Sequence, residues 1–374
     1  RIAHRTSPTN IGLSLLATLS ARDFGYISSG QMIERITATL DTLDRLDKHN
    51  GHLLNWYDTQ SLQPLRPAYV STVDSGNLAG HLLTLRAGLL LLADAAPQFE
   101  RLLAGLRDTL DLLREAAGGQ TRGTPAARMA ALLEAQLARP PPAASAWAAI
   151  FAALHDCAQE LQGPGPDVDS RPQGDGTDPA ADSETRRWSM ALLRQCEAAV
   201  AELQFWSPAR HDGPDADGSA PWSNAAHATR ALALRTLARR AGALAVMDYG
   251  FLYDPARALL AIGYNVDDQR RDAGFYDLLA SEVRLACFVA IAQGQLPQES
   301  WFALGRQLAM PNGTAVLLSW SGSMFEYLMP MLVMPNYENT LLGETVRGAV
   351  ARQVLYGRQR GVPWGISESG YNAF

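Results

Sequence analysis

The sequence predicts an all-α fold built from antiparallel helix pairs, on three observations. Apolar residues recur at spacings near 3.6 through most of the chain, and the periodic segments are rich in Ala, Leu and Arg, which favour helix. A single stretch, 251–268, breaks the pattern with β-rich aromatic positions. At 374 residues, 47% of them hydrophobic, the chain can bury a large core. A toroid of helix pairs and an α-solenoid both satisfy these constraints.

The first solid helix is expected at 31–48, where Met32, Ile33, Ile36, Leu40, Leu43 and Leu46 share a face and Ser29 with Gly30 marks the start. A second should open within Ser71 to Asn77 and run to about Ala95, followed by helices near 98–116, 125–138 and 143–162. Residues 163–183 combine Gly, Pro and Asp without apolar periodicity, the composition of a solvated acidic insertion. Helix is expected again over 184–205, a Pro- and Gly-rich loop over 207–222, and helix over 224–247. Asp254-Pro255 and Gly263 then suggest that 251–268 is a small β-hairpin flap. Four further helices follow, near 277–293, 297–306, 322–332 and 338–357. No internal repeat stands out.

Composition excludes several function classes. A net charge of -6 gives no basic footprint for nucleic acid. Cys157, Cys196 and Cys287 lie far apart in apolar helical contexts and read as buried thiols. His49 and His52 lack a third ligand at metal-site spacing, so no metal is expected, and no GxGxxG or Walker A glycine pattern suggests a cofactor. GxSxG is absent as well. The longest apolar stretch, from Ala87, meets Asp94 and Pro97 well short of the ~20 residues that span a bilayer. A first residue of Arg1 and a last segment of YNAF suggest a portion of a longer polypeptide.

Three segments set carboxylates among aromatic rings, the pairing that glycosidic chemistry needs: carboxyl groups to give and take protons, and ring faces to stack on pyranoses. In the first, Trp56, Tyr57 and Asp58 sit in a Pro-punctuated loop ahead of Asp74, Ser75 and Asn77. Asp74 or Ser75 reads either as a helix cap or, with Trp56, Asp58 and Asn77, as lining for a sugar subsite. In the second, Trp320 and Ser321 precede Glu326, flanked by Phe325 and Tyr327. Glu326 is either a desolvated carboxyl with a raised pKa, suited to proton donation, or a carboxylate that holds its loop from beneath. In the third, Trp364, Gly365, Glu368 and Tyr371 follow the last helix, and Glu368 is the favoured catalytic residue.

The segments RTSPTNIGL (5–13), RDFGYIS (22–28), NWYD (55–58), YVSTVDSGNLAGHL (69–82), YDLLASEVRLACFVAIAQG (276–294), SWSGSMFEYLMP (319–330) and VPWGISESGYN (362–372) resemble the glycoamylase-like domain of bacterial cyclic β-1,2-glucan synthases. The resemblance implies an (α/α)6 barrel, incomplete at its C-terminus in this chain, acting on linear β-1,2-glucan by transglycosylation and ring closure. It implies neighbours in the same polypeptide: a membrane glucosyltransferase using UDP-glucose and a phosphorylase-like domain, at the cytoplasmic face of the inner membrane. Glu368 falls on a position expected to be catalytic, and Trp56, Asp58, Asp74, Asn77, Trp320, Glu326 and Trp364 fall around the expected cleft. The partner carboxylate is expected beyond Phe374. Hydrolysis by an endo-β-1,2-glucanase and plain glucan holding are the alternatives.

Overall fold

The computed structural model describes residues 3–118, 124–141, 144–162, 179–207 and 222–367. Among them twelve α-helices follow in order: α1 Pro8–Asp23, α2 Ser29–Arg45, α3 Thr72–Ala93, α4 Phe99–Ala116, α5 Pro125–Ala138, α6 Ala144–Glu160, α7 Pro179–Trp206, α8 Asn224–Leu244, α9 Val283–Ala292, α10 Glu299–Ala303, α11 Met324–Leu328 and α12 Leu341–Arg360. The structure is thus mostly helical, with small antiparallel sheets between the helices rather than purely α.

Several boundaries differ from expectation. Helix α1 was not anticipated; Pro8 opens it, and the Ser7 hydroxyl accepts from the Asn10 N–H at 3.3 Å as an N-cap. Helix α2 stops at Arg45, because Lys48–His49 turns back on His52–Leu53 through Asn50 and Gly51, both at positive φ, the hairpin turn that Asn-Gly favours. The Lys48 ammonium then donates to the Leu43 and Leu46 carbonyls at 2.6 and 3.1 Å, satisfying the end of α2. Helix α7 begins at Pro179, inside the segment assigned to the acidic insertion, while 163–178 and 208–221 lie outside the described residues.

The flap is two hairpins rather than one. Tyr253–Asp254 pairs with Leu259–Leu260, and Gly263–Asn265 pairs with Arg270–Arg271 and also with Tyr69–Ser71, which runs directly into α3. The helix expected over 277–293 starts only at Val283. Before it the backbone runs beside Gly305, whose N–H donates to the Asp277 carbonyl at 2.6 Å and whose carbonyl accepts from Leu279 at 3.0 Å.

The chain forms two compact units. One comprises Ala17–Thr39 and Gly88–Leu237. Its core is made where α4, α5, α6 and α7 bring in Leu103, Leu106, Leu110, Met129, Leu133, Phe151, Leu154, Leu192 and Cys196 at helical spacing, each nearly inaccessible. Rings tighten it: Phe99 meets Phe151 edge-on at 5.8 Å, and Trp147 stacks on Phe151 at 5.7 Å. A buried ion pair, Arg230 to Glu202 at 3.1 Å, is completed by donation from Trp206 Nε1 and Gly30 N to the carboxylate, both at 3.0 Å. Cys196 is buried here, its thiol pushed up to about 12 by burial, as expected of an inert thiol.

The other unit comprises Arg1–Leu16, Leu40–Ala87 and Ala238–Phe374 and carries the three carboxylate-and-aromatic segments. Helix α3 meets α9 at Gly76, where an added Cβ would lie 2.3 Å from the Ala286 Cβ, so glycine is what permits the approach. Helix α3 is long and apolar enough, by length and composition, to cross a membrane, but more than half of that stretch is buried inside the protein, as in a core helix.

Candidate functional site

Sequence neighbours build the first part of the site. The turn Ser319–Ser323 folds over Glu326, whose carboxylate accepts from the backbone N–H of Trp320 at 3.0 Å, of Ser321 at 3.2 Å and of Ser323 at 3.1 Å. The hydroxyls of Ser323 at 2.9 Å, of Ser319 at 3.3 Å and of Ser321 also donate to it. The Ser323 hydroxyl in turn accepts from the Glu326 N–H at 3.2 Å, completing a capping box at the start of α11. Burial alone would raise this carboxyl, but the hydrogen bonds from Ser321 and Ser323 outweigh it and hold Glu326 below the usual carboxylate range. Of the two readings of Glu326, this geometry favours the carboxylate that holds its loop over the raised proton donor, because donor groups reach both of its oxygens. On the far side, buried Arg284 of α9 donates to the Glu326 carbonyl at 2.8 Å and the Tyr327 carbonyl at 2.6 Å, satisfying the open end of a five-residue helix. Burial pulls that guanidinium down to about 10, still protonated at neutral pH.

One side chain of α12 ties this turn to the segment that leads to Glu368. The Gln353 amide donates to the carbonyls of Gly322 at 3.1 Å and Ile366 at 3.3 Å, and accepts from the N–H groups of Gly365 at 3.2 Å and Ile366 at 2.8 Å. Met324 N–H adds a bond to the Ile366 carbonyl at 2.8 Å. Trp364 sits on this segment, 51% exposed. Glu368 and Tyr371 lie outside the described residues.

A second group lies along α3, where Asp74, Asn77 and His81 recur at i, i+3 and i+7 and share a face. Asp74 caps not its own helix but α1: its Oδ1 accepts from Thr9 N–H at 3.3 Å and from the Thr9 hydroxyl at 2.6 Å. Buried Asn77 donates through Nδ2 to Thr9 Oγ1 and to Glu282 Oε2, each at 3.1 Å. Asn77 is thus enclosed, and Glu282, a buried carboxylate that sequence reasoning passed over, belongs to the same chain of bonds.

The loop residues ahead of α3 divide by exposure. Trp56 is half-buried with the Arg5 guanidinium 4.9 Å above its ring. Asp58 accepts from Gln60 N–H at 2.9 Å and from Ser61 N–H at 2.7 Å, a turn-forming carboxylate that Ser61 and Gln60 hold below its usual pKa. Tyr57 does not line a subsite, because its ring is 1% exposed and offers no face to a sugar. Its hydroxyl accepts from Leu54 N–H at 2.7 Å and donates to the Asp47 carbonyl at 2.5 Å, and burial pushes it up to about 12. Tyr57→Phe leaves both groups unpaired and is expected to lower stability by about 1–3 kcal/mol. Urea unfolding at constant m checks this; an unchanged midpoint would mean that solvent reaches the pair.

The third group joins Trp320, which the sequence singled out, to Tyr69, Asp272 and Tyr276, which it did not. Tyr69 donates to Asp272 Oδ2 at 2.5 Å, and Tyr276 lies 5.8 Å from Trp320, ring centre to ring centre, with Trp320 itself 53% exposed. Asp272 carried no signal beyond its place after two arginines. Among the described residues no cluster of His, Cys, Asp or Glu has the makings of a metal site.

No family model matches the chain. Compared with characterised proteins, the chain is 38% identical over 388 aligned positions, 100% of its length, to the cyclic beta-(1,2)-glucan synthase NdvB of Rhizobium meliloti (strain 1021). It spans 13% of that protein. The resemblance read from scattered motifs therefore extends through residues 97–222 as well, where none of those motifs lies.

Proposed function

We propose that this chain, similar along its whole length to one portion of a cyclic β-1,2-glucan synthase, acts on linear β-1,2-glucan as a transglycosylase that closes rings. The full-length identity carries the reading, because it spans the aromatic and acidic segments together rather than a single motif. An (α/α)6 arrangement, glucosyltransferase and phosphorylase-like neighbours, and a place at the cytoplasmic face of the inner membrane are parts of the same proposal.

The chemistry assigned to the site is retaining transfer: one carboxyl protonates the leaving oxygen, a second forms or stabilises the glycosyl intermediate, and a sugar hydroxyl replaces water as acceptor. Glu368 is the proposed catalytic carboxylate within the chain, with Trp320 and Trp364 as stacking surfaces and Trp56, Asp58 and Asp74 at the cleft margin. The exposure of Trp320 and Trp364 beside an anchored turn supports that use. The hydrogen bonding of Glu326 favours a supporting role for it.

Incubation of the complete domain that contains this chain with linear β-1,2-glucan, followed by mass spectrometry of the products, tests the reading. Rings or redistributed chain lengths are expected. Shorter linear oligosaccharides alone would make the chain an endo-β-1,2-glucanase, and binding by calorimetry without turnover would make it a glucan-holding module. Neither binding nor turnover would overturn the carbohydrate reading.

A further inference from the structure

We propose that Tyr69, Asp272, Tyr276 and Trp320 form a subsite that holds one glucosyl unit of a glucan chain. It rests on the carbohydrate reading and adds the place where a ring is gripped.

Two surfaces of the right kind meet here. Trp320 and Tyr276 present tilted rings at 50° and 5.8 Å, one of them 53% exposed, and an aromatic face with a polar tip suits the C–H face and hydroxyl rim of a pyranose. Asp272 supplies the polar partner. Tyr69 occupies its Oδ2, while its other oxygen has no partner among the described residues. The neighbouring Arg271 is committed elsewhere, to Asp254 at 3.3 Å and the Tyr253 carbonyl at 2.7 Å, and does not neutralise Asp272. A half-buried carboxylate with one oxygen fixed and one open can accept from sugar hydroxyls in charge-assisted bonds. The N–H groups of Asp272 and Tyr276 bond the Gly263 and Leu260 carbonyls, each at 3.0 Å, so both residues stand on one segment along the same neighbouring chain, with Tyr69 bonded to the first and Trp320 beside the second.

Gly263 shows that the pair is built rather than incidental. The Tyr69 ring crosses the adjacent strand to reach Asp272 by lying over Gly263, where an added Cβ would fall 2.1 Å from the tyrosine oxygen. A side chain at 263 and the Tyr69–Asp272 bond are mutually exclusive.

Calorimetric titration of the chain with linear β-1,2-glucan tests the subsite. Asp272→Asn and Tyr276→Ala are each expected to weaken binding about tenfold. Tyr69→Phe and Gly263→Ala, which free the carboxylate from its anchor, should weaken it by a smaller and mutually similar factor. Asp272→Asn keeps the shape of the side chain, so its melting temperature, measured alongside, separates lost affinity from lost fold. Unchanged affinity in a folded Asp272→Asn together with Tyr276→Ala would overturn the subsite and leave the carbohydrate reading standing; no binding by the unaltered chain would overturn both.

Discussion

Between pH 6.5 and about 4 the protein is expected to lose up to about 3 kcal/mol of stability per pH unit through two buried histidines that fold in the neutral form. His52 and His81 are both inaccessible, and burial pulls each from 6.5 down to about 4. For His52 the geometry also fixes the tautomer: Nε2 lies 2.7 Å from the Asp248 carbonyl, which only accepts, so Nε2 carries the proton, while Nδ1 faces the Ser75 oxygen at 2.8 Å. His81 has less support. Neither of its nitrogens has a partner among the described residues, and it presses against α1 at Gly12, where an added Cβ would lie 2.4 Å from Nδ1. The unfolded chain takes up protons near pH 6.5, whereas the folded chain resists them until about 4, so the unfolded state binds more protons throughout that window and gains as pH falls. Each histidine contributes about half the slope. His81→Leu should halve it while changing stability little at pH 7, a comparison that urea midpoints from pH 7 to 4.5 would settle. A variant with the same slope as the unaltered chain would show that His81 is protonated in the folded state.

Much of the helical framework could be read from periodicity, because the buried faces of α2, α4 and α7 recur at 3.6 and little competes with them. Helix α1 escaped because Gly12, Ser14, Thr18 and Ser20 interrupt its apolar stripe, though Ser7-Pro8 spelled out its start. The opposite error arose at Leu278 and Leu279, whose apolar rhythm continues that of α9 while their backbone bonds to a loop more than twenty residues on. At the site, legibility followed sequence separation. Trp320 and Glu326 lie six apart and were visible as one segment, whereas Tyr69 and Asp272 meet across 203 residues and Asn77 and Glu282 across 205, contacts that no periodicity reports. The protonation state of Glu326 was hidden for a related reason: nearby aromatics in the sequence suggested desolvation, while the folded turn delivers serine hydroxyls and backbone N–H groups to the same carboxylate.

Glu326→Gln and Glu368→Gln are expected to fail differently, the first in stability and the second in turnover. At 326 the introduced amide nitrogen must face at least one group that itself donates, such as the N–H of Trp320 at 3.0 Å, and the loss of charge weakens the remaining bonds from Ser321 and Ser323. A cost of about 2–4 kcal/mol follows, with the turn loosened over a backbone that Arg284 still holds from below. The pH dependence has a definite sign. Because the folded carboxyl lies below its ordinary 4.5, its contribution is present above that value and lost as pH falls toward the folded one, so the stability gap between the unaltered chain and Glu326→Gln should close in acid. At 368 the approach to the residue is fixed independently, by the Gln353 amide on Gly365 and Ile366, so the substitution is expected to leave stability within ~0.5 kcal/mol and cut turnover by roughly 10²- to 10⁴-fold. Urea unfolding and product formation on both variants decide the assignment. A stable but inactive Glu326→Gln would transfer the catalytic role to Glu326, and a Glu368→Gln that retains turnover within tenfold would remove Glu368 from the chemistry.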